Sequence, residues 1–223
     1  MIFQPGPKTR RLDDRRQDER KSRSKVEEFL KDSLAGRVFP DQEFLKEINR
    51  LTLLDSVMSG IPSGRYRDKP VVVRWRGAIV YRPPLSEKLP ELMKNLFEYV
   101  ARQCTSMTSP VDEEKLVERV GLFFLMILKF HPFLQGNGRT ARAYSTYLLL
   151  QKGFQLRRGQ SLETFIDQCR EEYFQRLFRS SVQNPSHWIP FFSRAVGSVM
   201  ITPSCSNQRA RTSLYGLFQI FKE

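Results

Sequence analysis

Between residues 131 and 142 the chain reads His131-Pro132-Phe133-Leu134-Gln135-Gly136-Asn137-Gly138-Arg139-Thr140-Ala141-Arg142, and its chemistry-bearing residue types gather there. Imidazole titrates near neutrality, so His131 is suited to taking a proton from a hydroxyl. Gly136-Asn137-Gly138 allows consecutive backbone N–H groups to turn into a concave anion nest. A helix beginning near Arg139–Thr140 would point its positive end at the same place. Arg139 and Arg142 lie three apart, so both can lean over that end, where paired guanidiniums suit a polyphosphate. A phosphate cradle beside a general base points to transfer of a phosphorus-containing group to a hydroxyl. Each part alone has an ordinary structural reading: a histidine closing a helix, a Gly-Asn-Gly turn, arginines on a solvated face. Phe133 reads as the anchor of the loop in the core. The combination within twelve residues is what singles the segment out.

The surrounding pattern supplies the elements that must position these groups. From Val120 to Phe130 the sequence is apolar on nearly every face, which predicts a helix at the centre of a domain, starting near Asp112. Thr140–Gln151 predicts the next helix, closed by Gly153. Upstream, Phe44, Leu45, Ile48, Leu51 and Leu54 follow at helical spacing, with Asp41 as N-cap. Leu89, Leu92, Met93, Leu96 and Val100 form a further amphipathic helix. Ser161–Phe178 and His187–Val199 predict two more. Val71–Tyr81 is the one convincing β segment: two strands about a turn at Arg76-Gly77. A lone hairpin is marginal in water, so it must lean on the helices, and it leaves an edge open to another chain. The class is all-α, about six helices with a β-hairpin flap.

Composition bounds the rest. With 223 residues, 40% hydrophobic and 12% aromatic, the chain can build a real core. Cys104, Cys169 and Cys205 are too few and scattered for a disulfide framework, and two histidines argue against a multi-histidine metal site. No apolar run is long enough for a membrane span, and Met1–Lys25 shows no secretory signal, so a cytoplasmic setting is expected, with delivery into another cell left open. The net charge of +13 predicts affinity for anions. Nucleic acid is not the expected partner, because no recognition helix or interleaved aromatic platform accompanies that charge. The division expected is a basic, flexible arm over 1–36, whose Lys8–Lys25 stretch reads as a solvated arm or a frayed polar helix, a domain over 37–200, and a tail over 201–223 with an apolar patch at Leu214, Leu217, Phe218, Ile220 and Phe221.

The 131–142 segment closely resembles the signature of the Fic family (filamentation induced by cAMP), H-x-F-x-[D/E]-G-N-G-R-x-x-R, matching it at seven fixed positions. Gly64-Arg65-Tyr66-Arg67, the Val71–Tyr81 hairpin and Pro83-Pro84 with Leu89-Pro90-Glu91-Leu92-Met93 resemble the family's segments upstream, in order. The resemblance implies a Fic-like helical bundle that transfers AMP from ATP to a Ser, Thr or Tyr hydroxyl of a protein. It implies His131 as base, backbone N–H groups of Gly136 and Gly138 on the phosphates, Asn137 on the α-phosphate, Arg139 on the β-phosphate and Arg142 on the terminal one. The flap residues Val71, Val72, Val73, Ile79, Val80 and Tyr81 would pair with the target protein by strand addition.

Two departures qualify what the resemblance implies. Gln135 occupies the acidic position whose carboxylate would hold Mg²⁺ (or Mn²⁺) on the phosphates. A carboxamide can ligate without the charge, so the metal would be weakly held. A slow transferase, a transferase with another phosphate-containing donor, and a nucleotide-binding relative without catalysis all follow from that substitution. The family's inhibitory pattern [S/T]-x-x-x-E-[G/N] is nowhere intact, so restraint would come from a separate inhibitory partner or be unnecessary.

Overall fold

A computed structural model of the chain describes residues 12–53, 62–105 and 112–203, with side chains described from residue 20 onward. Its centre is α4 (Glu113–Phe130), capped at its start by the Asp112 carboxylate, which accepts from the Lys115 N–H. Ten apolar or small residues of α4, from Leu116 to Leu128, are buried, as the all-round apolar pattern predicts. α5 (Asn137–Gln151) packs along one side of it and α8 (Trp188–Val199) along another. Gly121 makes the second contact possible, since a Cβ there would meet Phe192 at 2.8 Å, and Trp188 Nε1 donates to the Gly121 carbonyl.

α2 (Gln42–Leu53) lays Phe44, Leu45 and Ile48 against α5. Tyr144 of α5 lies inside a ring of aromatics, Phe44, Phe97 and Phe123. α3 (Leu89–Val100) buries Leu89, Met93, Leu96 and Val100 in the same core. Asp41 caps the start of α2 as expected, its carboxylate accepting from the Phe44 N–H at 2.9 Å. The expected Leu54 position, Cys205 and the C-terminal patch from Leu214 to Phe221 lie outside the described residues.

Four features depart from the pattern reading. Leu12–Ala35 is a helix, α1, the second of the two forms expected for the arm, but it is not solvated all round: Val26 and Leu30 are buried in the core. The physical reason is a narrow inward stripe, Ser22, Val26, Leu30 and Ser33, at helical spacing inside an otherwise charged segment. The single helix expected over Ser161–Phe178 is two, α6 (Leu162–Gln168) and α7 (Arg170–Arg179), broken at Cys169. α5 begins at Asn137, two to three residues before the start expected near Arg139–Thr140. A second strand pair exists, β3 (Gln155–Leu156) with β4 (Met200–Ile201), too short to show a period.

The flap is β1 (Val73–Trp75) paired antiparallel with β2 (Ala78–Tyr81), so Val71 and Val72 precede the paired strand. Arg76 and Gly77 both have positive φ, 50° and 83°, which is the two-residue hairpin turn whose twist matches the strands.

Candidate active site

α4 ends at His131, which takes the left-handed conformation (φ 49°) and donates its N–H to the Ile127 carbonyl at 2.9 Å. That conformation is uncommon for a residue with a β-carbon and turns the chain sharply out of the helix. Arg67, 3% exposed, holds the turn. Its Nε donates to the His131 carbonyl at 2.8 Å, its Nη2 to the Pro84 and Phe130 carbonyls and its Nη1 to the Lys69 carbonyl. Its own N–H donates to the Pro132 carbonyl at 2.8 Å. One guanidinium therefore ties the His131 turn to the approach and exit of the flap. Sequence reasoning placed Arg67 only in a turn, and its role depends on contacts about 64 residues away.

One ring nitrogen of His131 donates to the Leu128 carbonyl, leaving the other to accept a proton. Burial, and secondarily the charge of Arg67, push the imidazole down to about 4 against the opposing effect of that hydrogen bond. The ring is neutral at physiological pH and able to act as a base.

The loop after His131 is tied inward. The Asn137 amide accepts from the Phe133 N–H at 3.0 Å and donates to the Phe133 carbonyl at 2.8 Å, while Phe133 is buried among core aromatics such as Tyr66. Asn137 thus shapes the loop, keeping one amide hydrogen and one lone pair for other use. Gly136 has φ 80°, and a Cβ there would lie 3.0 Å from Asn49 Nδ2. Asn49, fully buried on α2, donates to the Gln135 carbonyl and to Thr140 Oγ1 and accepts from the Gly64 N–H. It clamps the loop, the first turn of α5 and the turn before the flap, and no local pattern marks it. The left-handed Gly136 followed by helical Asn137 is the backbone geometry of an anion nest, at a helix start whose first amides have no carbonyl within α5.

A cavity of about 860 Å³ opens over this rim, lined by His131, Gly138, Arg139 and Arg142 from the motif and by Val73 and Tyr81 from the flap. The structure thus brings His131, the helix start, both arginines and the flap to one space. Gln135 stays on the loop. Val72 and Ile79 are exposed on the flap, and Val71 and Val80 are half-buried. Trp75 packs on Phe174 of α7 with ring centroids 3.7 Å apart, and Arg76 reaches Glu171 at 2.6 Å, so the flap tip rests on the domain.

Arg142 meets a carboxylate that the sequence gave no cue to. Its Nη2 donates to Glu163 Oε1 at 2.9 Å. Glu163 stands in the first turn of α6, whose start is fixed by a reciprocal Ser161–Thr164 cap. Arg23 of α1 approaches the same carboxylate at 4.0 Å and donates to Ser161 Oγ. Any phosphate reaching Arg142 competes with Glu163.

The metal position tests poorly. Mg²⁺ prefers anionic oxygen, the loop offers the Gln135 carboxamide, and the described residues contain no group of three or more His, Cys, Asp or Glu able to hold a metal ion. The residues present do not make a protein-held Mg²⁺ site.

Residues 39–149, which span α2, the flap, His131 and almost all of α5, match the model of the Fic/DOC family. The chain belongs to the Fic/DOC family. Fic-domain proteins are often transferases, and this chain is Fic-type in that general sense. Solved structures share the fold. A Fic-domain signalling protein from Bacteroides thetaiotaomicron superposes with TM-score 0.62 at 20% identity, over 80% of this chain and 68% of that one. BepC, a VirB-translocated effector of Bartonella tribocorum with bound AMPPNP, gives 0.61 at 14% identity, over 85% and 87%. Fic-1 from C. elegans gives 0.55 at 20% identity, over 89% of this chain and 54% of that one. No curated protein matches the chain. Among the described residues no helix is long and apolar enough to cross a membrane.

Proposed function

We propose that this Fic chain transfers a nucleotidyl group, AMP from ATP in the simplest case, to a Ser, Thr or Tyr hydroxyl of a protein. The observation that carries the reading is the shared cavity: a neutral imidazole, a helix start with a left-handed glycine, two arginines and a strand edge face one space. The acceptor protein would add a strand to the flap and present its hydroxyl to His131. His131 takes the hydroxyl proton as the oxygen attacks the α-phosphorus. The bond to the bridging oxygen of the β-phosphate breaks, and pyrophosphate leaves carrying that electron pair. The amides at the start of α5 and Arg139 receive the charge on the phosphate chain, and Arg142 joins them when Glu163 lets go. A divalent ion, if bound, arrives with the nucleotide, with Gln135 offering one neutral oxygen. AMPPNP in the structurally similar BepC supports a nucleotide in this fold.

Incubation with α-labelled ATP, Mg²⁺ or Mn²⁺ and candidate acceptors should label a protein band, absent with His131→Ala. Intact mass of the chain would identify the transferred group. No label under any nucleotide or metal would reject the proposal.

The Gln135 position favours a second reading, a nucleotide-binding scaffold without turnover. Gln135→Glu separates the two. Activity appearing only in that variant makes the native chain a scaffold, and activity falling assigns Gln135 to the native chemistry. A separate inhibitory partner stays part of this reading, and the Glu163–Arg142 pair would add to its restraint.

A further inference from the structure

Lys129 is two residues before His131 in the last turn of α4, amid the buried run Leu125–Leu128. Only 8% of it is exposed, and it lines the same cavity as His131 and Tyr81. Its ammonium lies 4.7 Å from the centre of the Tyr81 ring, and the Tyr81 hydroxyl donates to the Lys129 carbonyl at 3.0 Å. Among the described residues no carboxylate pairs with it. The acids around the cavity, Glu27 and Glu163, are engaged by Arg23 and Arg142, and Asp167 pairs with Arg170. Burial without an acidic partner lowers the proton affinity of the ammonium.

A buried ammonium with only an aromatic face for company is unfavourable for folding, and a leucine would suit that helical turn better. Proximity to the C-terminal carbonyls of α4 gives a lysine some support, but a solvated one would gain the same. The position makes sense when an anion enters the cavity. The loop nearby lacks the negative charge that would retain a divalent cation. One protein cation too many and one metal-binding anion too few occur at the same site, and they offset each other.

We propose that Lys129 is a phosphate-binding group of the nucleotide site, approaching from the flap side and supplying charge that a protein-held divalent ion would otherwise bring. This rests on the nucleotidyl-transfer reading. Its ligand is a nucleoside polyphosphate, and its consequence is nucleotide binding that depends little on metal. Lys129 neutralises phosphate oxygens in the cavity whose lining it shares with Arg139 and Arg142.

The test is calorimetry of the full chain with AMPPNP, once with Mg²⁺ and once with EDTA, for the wild type, Lys129→Met, Lys129→Gln and Lys129→Arg. The wild type should lose no more than about threefold in affinity on chelation. Lys129→Met and Lys129→Gln should lose at least about tenfold in EDTA and less in Mg²⁺, with Lys129→Arg between them and the wild type. The melting temperature of Lys129→Met should equal or exceed that of the wild type, since a buried charge is removed. Equal affinity of Lys129→Met and wild type in EDTA overturns this inference alone. So does failure of both neutral variants to fold, which would make the lysine a structural cation. Silence of the wild type toward AMPPNP overturns the nucleotide reading, and this inference with it.

Discussion

The rim of the cavity and the flap that borders it are built by opposite means. The rim is fixed by buried polar side chains aimed at backbone: Arg67 on four carbonyls, Asn49 on Gln135 and Gly64, Asn137 on both ends of Phe133. The flap has few ties: its tip rests on an aromatic contact and an ion pair in solvent, and its second strand on the Tyr81 hydroxyl, which donates to the Lys129 carbonyl. The proposed transfer needs His131 and the start of α5 held within fractions of an ångström. Val72 and Ile79 are exposed on the flap, which suits the proposed docking of an acceptor by strand addition. The contrast predicts large effects for substitutions behind the rim and small ones at the flap tip.

The largest effect belongs to Arg67. Arg67→Met would leave several buried carbonyls without a donor and should cost about 3–5 kcal/mol, lowering the melting temperature by roughly 10 °C. A melting curve near wild type would show that the rim does not depend on this clamp. His131 comes next. Its folded value near 4 lies below the ordinary 6.5, so the unfolded chain takes up the proton first. That contribution to stability is complete above pH 6.5 and is lost as pH falls toward 4, about 3 kcal/mol in all. Denaturant titrations across that window should show His131→Asn losing less stability on acidification than wild type.

Gly136→Ala should cost about 2 kcal/mol, from the left-handed backbone and the crowding of Asn49. Nucleotide affinity, read by calorimetry, should fall with it, because the same glycine shapes the nest. Glu163→Gln acts in the favourable direction. The pair it breaks is partly shielded, with side chains 18% and 37% exposed, so releasing Arg142 should strengthen nucleotide binding by about fivefold. Unchanged affinity would mean that phosphate does not reach Arg142.

These effects also mark what could be read without coordinates. The motif residues, the buried α4, the hairpin and its Arg76-Gly77 turn were legible, because each depends on local order: a period, a cap or a pair of positive φ angles. Arg67, Asn49 and Glu163 were not, because each acts on backbone or charge far along the chain and its own neighbours look ordinary. Lys129 lies inside the Val120–Phe130 run that predicts burial, and nothing in its apolar neighbours marks a charge that faces the cavity. The inward stripe of α1 was present in the spacing of Ser22, Val26, Leu30 and Ser33, but the charge surrounding it dominated the composition.

The smallest effect tests the other side of the contrast. Arg76 and Glu171 are 72% and 52% exposed, and a pair so open to water contributes little. Arg76→Ala should leave stability within about 0.5 kcal/mol of wild type and nucleotide affinity unchanged, because neither group reaches the cradle. Trp75 keeps its contact with Phe174 in that variant, so the tip still has a seat while losing its charged tether. Amide exchange over Ala78–Tyr81 should quicken, since a two-stranded sheet has few other supports. If Arg76→Ala instead melted as early as Gly136→Ala, the hairpin would be part of the same rigid frame as the cradle. An acceptor would then have to fit a fixed edge and could not draw the flap toward itself.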